Sequence, residues 1–170
     1  MESHEVLHIL RHKRHDWMNQ IQLVHGYASM GKMDRVKEHL YQIIEHSEQE
    51  RRLLNSGADH FSLWLLTFNW NHSHYQLSYL IEKDVDLSSH DDQLISYAGR
   101  VLTKMDEHRV SDELYEGILQ VFNEDKYVML NWTWAGEFMN SENLANHLRG
   151  MGITVSAPQP HEITLKWKIE

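Results

Sequence analysis

The sequence predicts an α+β fold, in which an N-terminal antiparallel helical hairpin precedes an α/β sandwich with a mostly antiparallel sheet. Two observations lead to this prediction. Apolar residues recur at spacings of three and four over residues 1–56, which is the period of amphipathic helices. Over residues 57–170, segments that alternate between apolar and polar residues, as strands do, are mixed with helical segments. We therefore predict two domains with their boundary between residues 56 and 57.

The first predicted helix carries an apolar seam with one polar interruption. Its seam residues are Leu7, Leu10, Arg14, Trp17, Ile21, Val24 and Ala28. Gly31 suits the end of this helix, and Asp34 suits the start of the next one. Because the connection between the two helices is short, they should form an antiparallel hairpin.

The second predicted helix repeats this pattern, yet the two helices cannot complete a core. Its seam residues are Met33, Val36, Leu40, Ile43, Ser47, Glu50 and Leu54. Two helices that share one apolar seam need a second layer to bury it. A two-fold dimer would supply that layer by forming a four-helix bundle from two hairpins. The rest of the chain could cover the seam instead, so the homodimer is an inference.

The remaining residues predict the elements of the α/β sandwich. In order, these are a buried helix or strand at 60–70, a strand at 74–82, a helix at 88–110, two strands of a hairpin at 113–123 and 127–136, a short helix at 141–152, and a short and a long strand around a two-proline turn in 153–170. The alternating strands favour a sheet with one face covered by the helices.

Composition excludes several classes of function. The formal net charge of −9 argues against general binding of nucleic acid, which requires a basic face. The absence of cysteine excludes disulfides and thiolate metal sites. No apolar run approaches the roughly 20 residues of a membrane-spanning helix. With no signal peptide recognisable at the N-terminus, we expect a cytoplasmic protein without a membrane partner.

The chain has fourteen histidines, of which three share one face of the first helix. His4, His8 and His12 follow one another at intervals of four residues. A zinc site requires a third or fourth ligand and ordered groups around them, and no carboxylate of this helix has the matching spacing. We therefore predict no metal site.

His15 is the candidate functional residue, since it lies in a polar gap of the seam beside three cations. Arg11, Lys13 and Arg14 stand in a stretch without acids, which favours an anionic partner or group, although a solvated helix face is the ordinary alternative. The stripe predicted to be exposed is His8, Arg11, His12, His15, Asn19, Gln22 and Gly26. An exposed imidazole can act as a nucleophile, and a phosphoryl group on it would face Arg11 or Arg14.

Two neighbours could support His15. Asn19 lies one turn further on and could orient a nearby group. Asp16 is adjacent in sequence, but residues i and i+1 do not face each other on a helix, so its role as a hydrogen-bond partner is open. The plain alternative is that His15 is one surface histidine among many.

Residues 10–36, with "RHDWMN" at 14–19, resemble the phosphorylation-site helix and turn of the sporulation initiation phosphotransferase B family. "LTFNW" at 66–70 also matches this family of phosphorelay proteins from endospore-forming bacteria, which is related to the sensor histidine kinases. The resemblance implies a dimeric four-helix bundle in which His15 accepts a phosphoryl group from the aspartate of a single-domain response regulator. The group then passes to the aspartate of a second regulator, a transcription factor for sporulation. Residues 57–170 would be a degenerate kinase ATP-binding domain.

The same resemblance raises the question of kinase or carrier. A kinase of this kind holds ATP with an asparagine-bearing helix and glycine-rich loops, yet the predicted helix 88–110 has no asparagine. The single G-x-G, at 150–152, precedes a strand instead of a helix. We therefore expect a phosphotransferase without ATP-dependent kinase activity. It would bind no cofactor, and Mg²⁺ would come from the regulator.

A regulator should dock between His15 and the hairpin turn. The residues predicted to contact it are Arg11, Lys13, Gln22, Leu23, Gly26 and Tyr27. Gly26 costs about 1 kcal/mol of helix stability relative to alanine, which suits the close approach of a partner helix, although a simple bend would also explain it. Arg14 occupies a seam position and could serve the bundle instead of the phosphoryl group. A non-catalytic helical adaptor is the alternative function.

Overall fold

The first two helices form the predicted hairpin in this computed structural model, which describes residues 3–156 and 161–169. Helix α1 (Ser3–Ser29) and helix α2 (Met33–Leu54) are joined by a three-residue turn. Gly31 has a φ of 68°, a left-handed conformation that glycine adopts without the steric cost of a Cβ atom. The amide of Lys32 donates to the carbonyl of Tyr27 at 2.9 Å and closes the end of α1.

The apolar seam of the hairpin is exposed along much of its length. No residue of α1 is buried. Trp17 is 55 % exposed and Ile21 is 41 % exposed, and Leu40 of α2 is 42 % exposed. Val36 is buried, and the ring of Tyr27 meets that of His39 edge-on with 6.4 Å between centroids. The hairpin therefore closes near its turn, while the larger apolar residues remain available to a further layer.

Residues beyond α2 form three helices and a five-stranded sheet. The helices are α3 (Asp59–Asn71), α4 (Asp91–Glu107) and α5 (Ser141–Gly150), and the strands are β1 (Tyr75–Ile81), β2 (Tyr115–Glu124), β3 (Tyr127–Ala135), β4 (Thr154–Val155) and β5 (Glu162–Ile169). Within the described residues the strand order is β1-β2-β3-β5-β4, where the β1–β2 pair is parallel and the other pairs are antiparallel. These elements confirm the predicted α+β class and the mostly antiparallel sheet. The predicted two-proline turn falls on residues 157–160, outside the described residues.

The core of this second part is rich in aromatic side chains. Alternate residues of β2 are buried, as expected for a sheet with one covered face. Trp64 of α3 packs against Trp132 of β3 with perpendicular rings, 6.0 Å between centroids. Gly117 leaves room for Trp134, since a Cβ atom at position 117 would lie 2.5 Å from the indole ring.

The last turns of α2 belong to the compact unit that contains the sheet. The chain divides into compact units Met1–Glu48 and Gln49–Glu170. Gln49 accepts a hydrogen bond from the amide of Ile81 at 2.7 Å, Arg52 donates to the carbonyl of Ile81 at 3.1 Å, and Leu53 is fully buried. The second compact unit therefore starts inside α2, and the domain boundary after residue 56 stays a prediction.

Asp91, the first residue of α4, caps the N-terminus of α3. Its carboxylate accepts hydrogen bonds from the amides of His60 and Phe61 at 3.0 and 2.8 Å, and Nδ1 of His60 lies 2.9 Å away. Burial raises the pKa of Asp91, but the hydrogen bonds from His60 and Phe61 outweigh burial and hold that pKa below its usual range. This charged cap joins α3 to α4 and satisfies two amides that the helix leaves unpaired.

Side chains cover the free edge of β1. The side-chain amide of Asn69 accepts from the amide of Leu77 at 2.7 Å and donates to its carbonyl at 2.9 Å. Gln49 and Arg52 pair with the amide and carbonyl of Ile81 in the same manner. An uncovered edge strand invites pairing with another chain, so these contacts protect the fold against aggregation. Asn69 belongs to the "LTFNW" segment, and its two hydrogen bonds with the backbone of Leu77 give that segment a structural role.

Replacing Asn69 by leucine should lower the free energy of unfolding by about 2 kcal/mol, because it leaves two part-buried backbone groups of Leu77 unpaired. It should also make the protein aggregate more readily. Urea unfolding followed by tryptophan fluorescence measures the first effect, and light scattering measures the second. Asn71→Leu, at the exposed end of α3, is the control. Equal effects of the two substitutions would contradict the stabilising role of the Asn69–Leu77 hydrogen bonds.

Candidate functional site

His15 stands near the middle of α1 with 71 % of its side chain exposed. In the stripe that was predicted to be exposed, His8, Arg11, Asn19 and Gln22 are exposed as well, whereas His12 and Gly26 are half-buried. The helix thus presents one polar face centred on His15.

The Nδ1 atom of His15 has two polar neighbours on the same helix. It lies 3.4 Å from Oδ1 of Asp16 and 3.4 Å from Nδ2 of Asn19. The spacing rule argued against contact between adjacent residues, but Nδ1 is the ring nitrogen nearest the backbone and the short carboxylate of Asp16 can reach it. The structure therefore brings both supporting residues to the same nitrogen.

These two contacts place different demands on the proton of His15. A carboxylate only accepts hydrogen bonds, so the contact with Asp16 requires a proton on Nδ1. The amide of Asn19 can serve that same proton when its oxygen faces the ring, since the oxygen and nitrogen of an amide are assigned from the hydrogen-bond network. A proton on Nδ1 leaves the lone pair on Nε2. No other described residue makes a hydrogen bond with Nε2, which is therefore open to an incoming electrophile.

Two of the three predicted cations are exposed beside His15. The side chains of Arg11 and Arg14 make no ion pair or hydrogen bond with any residue in 3–156 or 161–169. Lys13, by contrast, is half-buried and already interacts with another group of the chain. The two guanidinium groups can therefore turn toward an anion without breaking an existing contact. Arg14 is exposed within this chain, which leaves open whether it serves an anion or the seam.

The residues predicted to bind a partner lie along α1 between His15 and the turn. Gln22 and Leu23 are exposed, and Tyr27 is half-buried beside His39. A Cβ atom added to Gly26 would meet nothing within 4 Å, so the chain itself does not require a glycine there. Sequence reasoning missed His39, whose buried Nε2 has no hydrogen-bond partner among the described residues. In the sequence, the position of His39 across the hairpin turn from Tyr27 already indicates that the two rings meet.

The described residues contain neither a cluster of three or more metal-binding side chains nor a membrane-spanning helix. No group of three or more histidine, cysteine, aspartate or glutamate side chains there is arranged to hold a metal ion. None of the described helices is long and apolar enough to cross a membrane.

An open groove of about 400 Å³ runs along α4 beside Arg100 and Met151. The absence of ATP-dependent kinase activity stays a prediction.

Comparison with known proteins decides the family. Residues 1–56 match a family model described as "Sensor_kinase_SpoOB-type, alpha-helical domain", and residues 57–168 match "Sporulation initiation phospho-transferase B, C-terminal". The chain is 32 % identical over 139 residues to sporulation initiation phosphotransferase B of Bacillus subtilis (strain 168), which covers 80 % of this chain and 72 % of that protein. The chain belongs to the sporulation initiation phosphotransferase B family. This membership confirms the predicted family and the predicted activity, that of a phosphorelay phosphotransferase.

Solved structures give weaker similarities. The histidine kinase domain of the blue-light activated histidine kinase from Erythrobacter litoralis EL346 aligns with a TM-score of 0.47 at 10 % identity, over 88 % of this chain and 92 % of that one. A bacterial phosphotransferase solved at 1.7 Å aligns with a TM-score of 0.40 at 8 % identity, over 98 % and 97 %. Because both scores lie below 0.5, membership of the sporulation initiation phosphotransferase B family rests on the relative and the family models. The role of His15 stays a prediction.

Gly26→Ala should raise the free energy of unfolding by about 1 kcal/mol, because the added methyl group meets no other atom and alanine favours the helix. Urea unfolding followed by far-ultraviolet circular dichroism measures this change. Gln22→Gly, at an exposed position of the same helix, should lower stability by a similar amount and serves as the control. A loss of stability in Gly26→Ala would show that the hairpin itself needs the glycine.

Proposed function

We propose that this phosphotransferase carries a phosphoryl group on Nε2 of His15. It accepts the group from the aspartate of a single-domain response regulator and passes it to the aspartate of a second regulator, a transcription factor for sporulation. The observation that supports this role is an exposed imidazole whose Nδ1 faces Asp16 and whose Nε2 is uncovered. Response regulators as partners would make the cytoplasm the compartment of activity.

The first transfer step forms one bond and breaks one. The lone pair on Nε2 attacks the phosphorus, and the N–P bond forms while the P–O bond to the aspartate of the regulator breaks in line. The aspartate leaves as a carboxylate. Because Nδ1 keeps its proton, the imidazole becomes positively charged, and the carboxylate of Asp16 at 3.4 Å from Nδ1 stabilises that charge. Asn19 holds the ring in the same orientation.

Arg11 and Arg14 would neutralise the phosphoryl oxygens during transfer. Both guanidinium groups are exposed and have no partner within the described part of the chain. Hydrogen bonds between guanidinium and phosphoryl oxygens are charge-assisted and stronger than neutral ones. Lys13 would add to the positive potential that attracts the acidic pocket of a regulator.

The regulator, and not this chain, would supply Mg²⁺. Magnesium binds carboxylate, water and phosphate oxygens. Beside His15, the carboxylate in contact with the ring is that of Asp16, and one carboxylate does not make a magnesium site. When bound by the regulator, the ion would neutralise charge on the transferred group.

A regulator would dock on α1 between His15 and the turn. Gln22 and Leu23 offer an exposed polar and apolar contact, and Gly26 lets a partner helix approach the backbone closely. Tyr27, packed edge-on against His39, closes the lower end of this surface. The same surface would receive both regulators, one after the other.

The phosphotransferase would act as a homodimer. Trp17, Ile21 and Leu40 expose large apolar surfaces on a hairpin in which α1 buries no residue. A second copy would cover these surfaces in a four-helix bundle, whose core needs four apolar faces. Each dimer would then carry two His15 side chains on its outside. A non-catalytic adaptor would share this dimer and the docking surface but would never carry phosphate.

Incubation with a phosphorylated single-domain response regulator should label the wild-type protein, and His15→Gln should abolish the label. The label should be lost in acid and retained in base, as a phosphoramidate is. His25→Gln, an exposed histidine of the same helix, is the control and should be labelled normally. Full labelling of His15→Gln would refute the site, and regulator binding without any label on the wild type would favour the adaptor.

Sedimentation equilibrium should give twice the chain mass of 20.3 kDa at micromolar concentration. Ile21→Glu should shift the protein toward monomer, because it places one charge from each copy in the apolar seam. Gln22→Glu adds the same charge outside the seam and should leave the dimer intact. A wild-type protein that sediments as a monomer would contradict the shared bundle.

A further inference from the structure

A pair of histidines on α1 lies outside the transfer mechanism. The Nε2 atoms of His8 and His12 are 3.3 Å apart, and their ring centroids are 4.5 Å apart. His8 is exposed and His12 is half-buried, so solvent reaches the pair. In the absence of a metal, one ring can donate its Nε2 proton to the other, which is the plain explanation of the short distance.

We propose that His8 and His12 bind a zinc ion through their Nε2 atoms, with water completing the coordination shell. Zinc binds imidazole nitrogen at about 2.0–2.1 Å. Two nitrogens 3.3 Å apart at that bond length subtend an angle of about 107° at the ion, close to the tetrahedral angle of about 109° that zinc prefers. Octahedral or square-planar ions need an angle near 90°, for which the two atoms would have to be about 2.9 Å apart.

The sequence predicts no metal site, since a third or fourth protein ligand is missing beside His4, His8 and His12. Among the described residues, no group of three or more histidine, cysteine, aspartate or glutamate side chains could hold a metal ion. A site completed by water requires only the two imidazoles, and the helix holds them on adjacent turns. The ion also ties these turns together, so zinc should stabilise α1.

The test compares zinc affinity of the full-length wild type with that of His8→Gln, His12→Gln, His25→Gln and His15→Gln. Competition with a chromophoric chelator measures affinity, and nitrogen NMR of labelled histidines reports which rings respond to the first equivalent of Zn²⁺. Loss of His8 or His12 should weaken the tightest site by at least about tenfold, the lower end of what disturbing a metal shell costs. His25→Gln and His15→Gln should bind as the wild type does.

Two results would overturn the proposal. One is equal zinc affinity in all five proteins, which is what a plain hydrogen bond between the imidazoles predicts. The other is a first equivalent of zinc that shifts ring nitrogens other than those of His8 and His12. Since His15→Gln retains the zinc ligands, failure of the phosphotransfer proposal would leave this test unaffected.

Discussion

The 3.6-residue period of α1 is the constraint on which the site depends. A helix with this period can place Trp17 and Ile21 on one face while His15 and Asn19 lie on another. The apolar face needs a further layer to become stable, and the polar face must remain open to act on a partner. Both needs are met only if the layer covers the seam and stops short of His15. The interruption of the seam by Arg14 keeps the edge of that face polar.

The proton on Nδ1 connects this geometry to reactivity. A free imidazole exchanges its proton between two nitrogens, and only the tautomer with a lone pair on Nε2 directs a nucleophile outward. Asp16 favours that tautomer because its carboxylate lies 3.4 Å from Nδ1 and cannot donate a hydrogen bond. This contact is long and exposed to solvent, and it favours the tautomer whose lone pair lies on Nε2.

Local patterns were sufficient to predict most helices and strands and the exposure of His15, because periodicity reports which face of an element is buried. The apolar run at 60–70, which lies in α3, has no such period and left helix and strand open. Contacts between residues far apart in sequence could not be predicted. Gln49 meets Ile81, and Asp91 caps a helix that begins 32 positions earlier, at Asp59. No spacing rule encodes such pairs. The contact of His15 with Asp16 stays open in the sequence for a different reason, since the rule for helix faces ignores how far a short side chain reaches.

The proposed site would not set the direction of transfer. The same Nε2 atom, the same Asp16 and the same arginines would serve both the acceptance and the donation of the phosphoryl group. Because Nδ1 keeps its proton, imidazole would leave as a neutral group on donation, just as it attacks as a neutral group on acceptance. A site that lowers both barriers equally cannot favour one direction. Net flow would therefore be set by the two regulators, through their amounts and the relative free energies of their aspartyl phosphates.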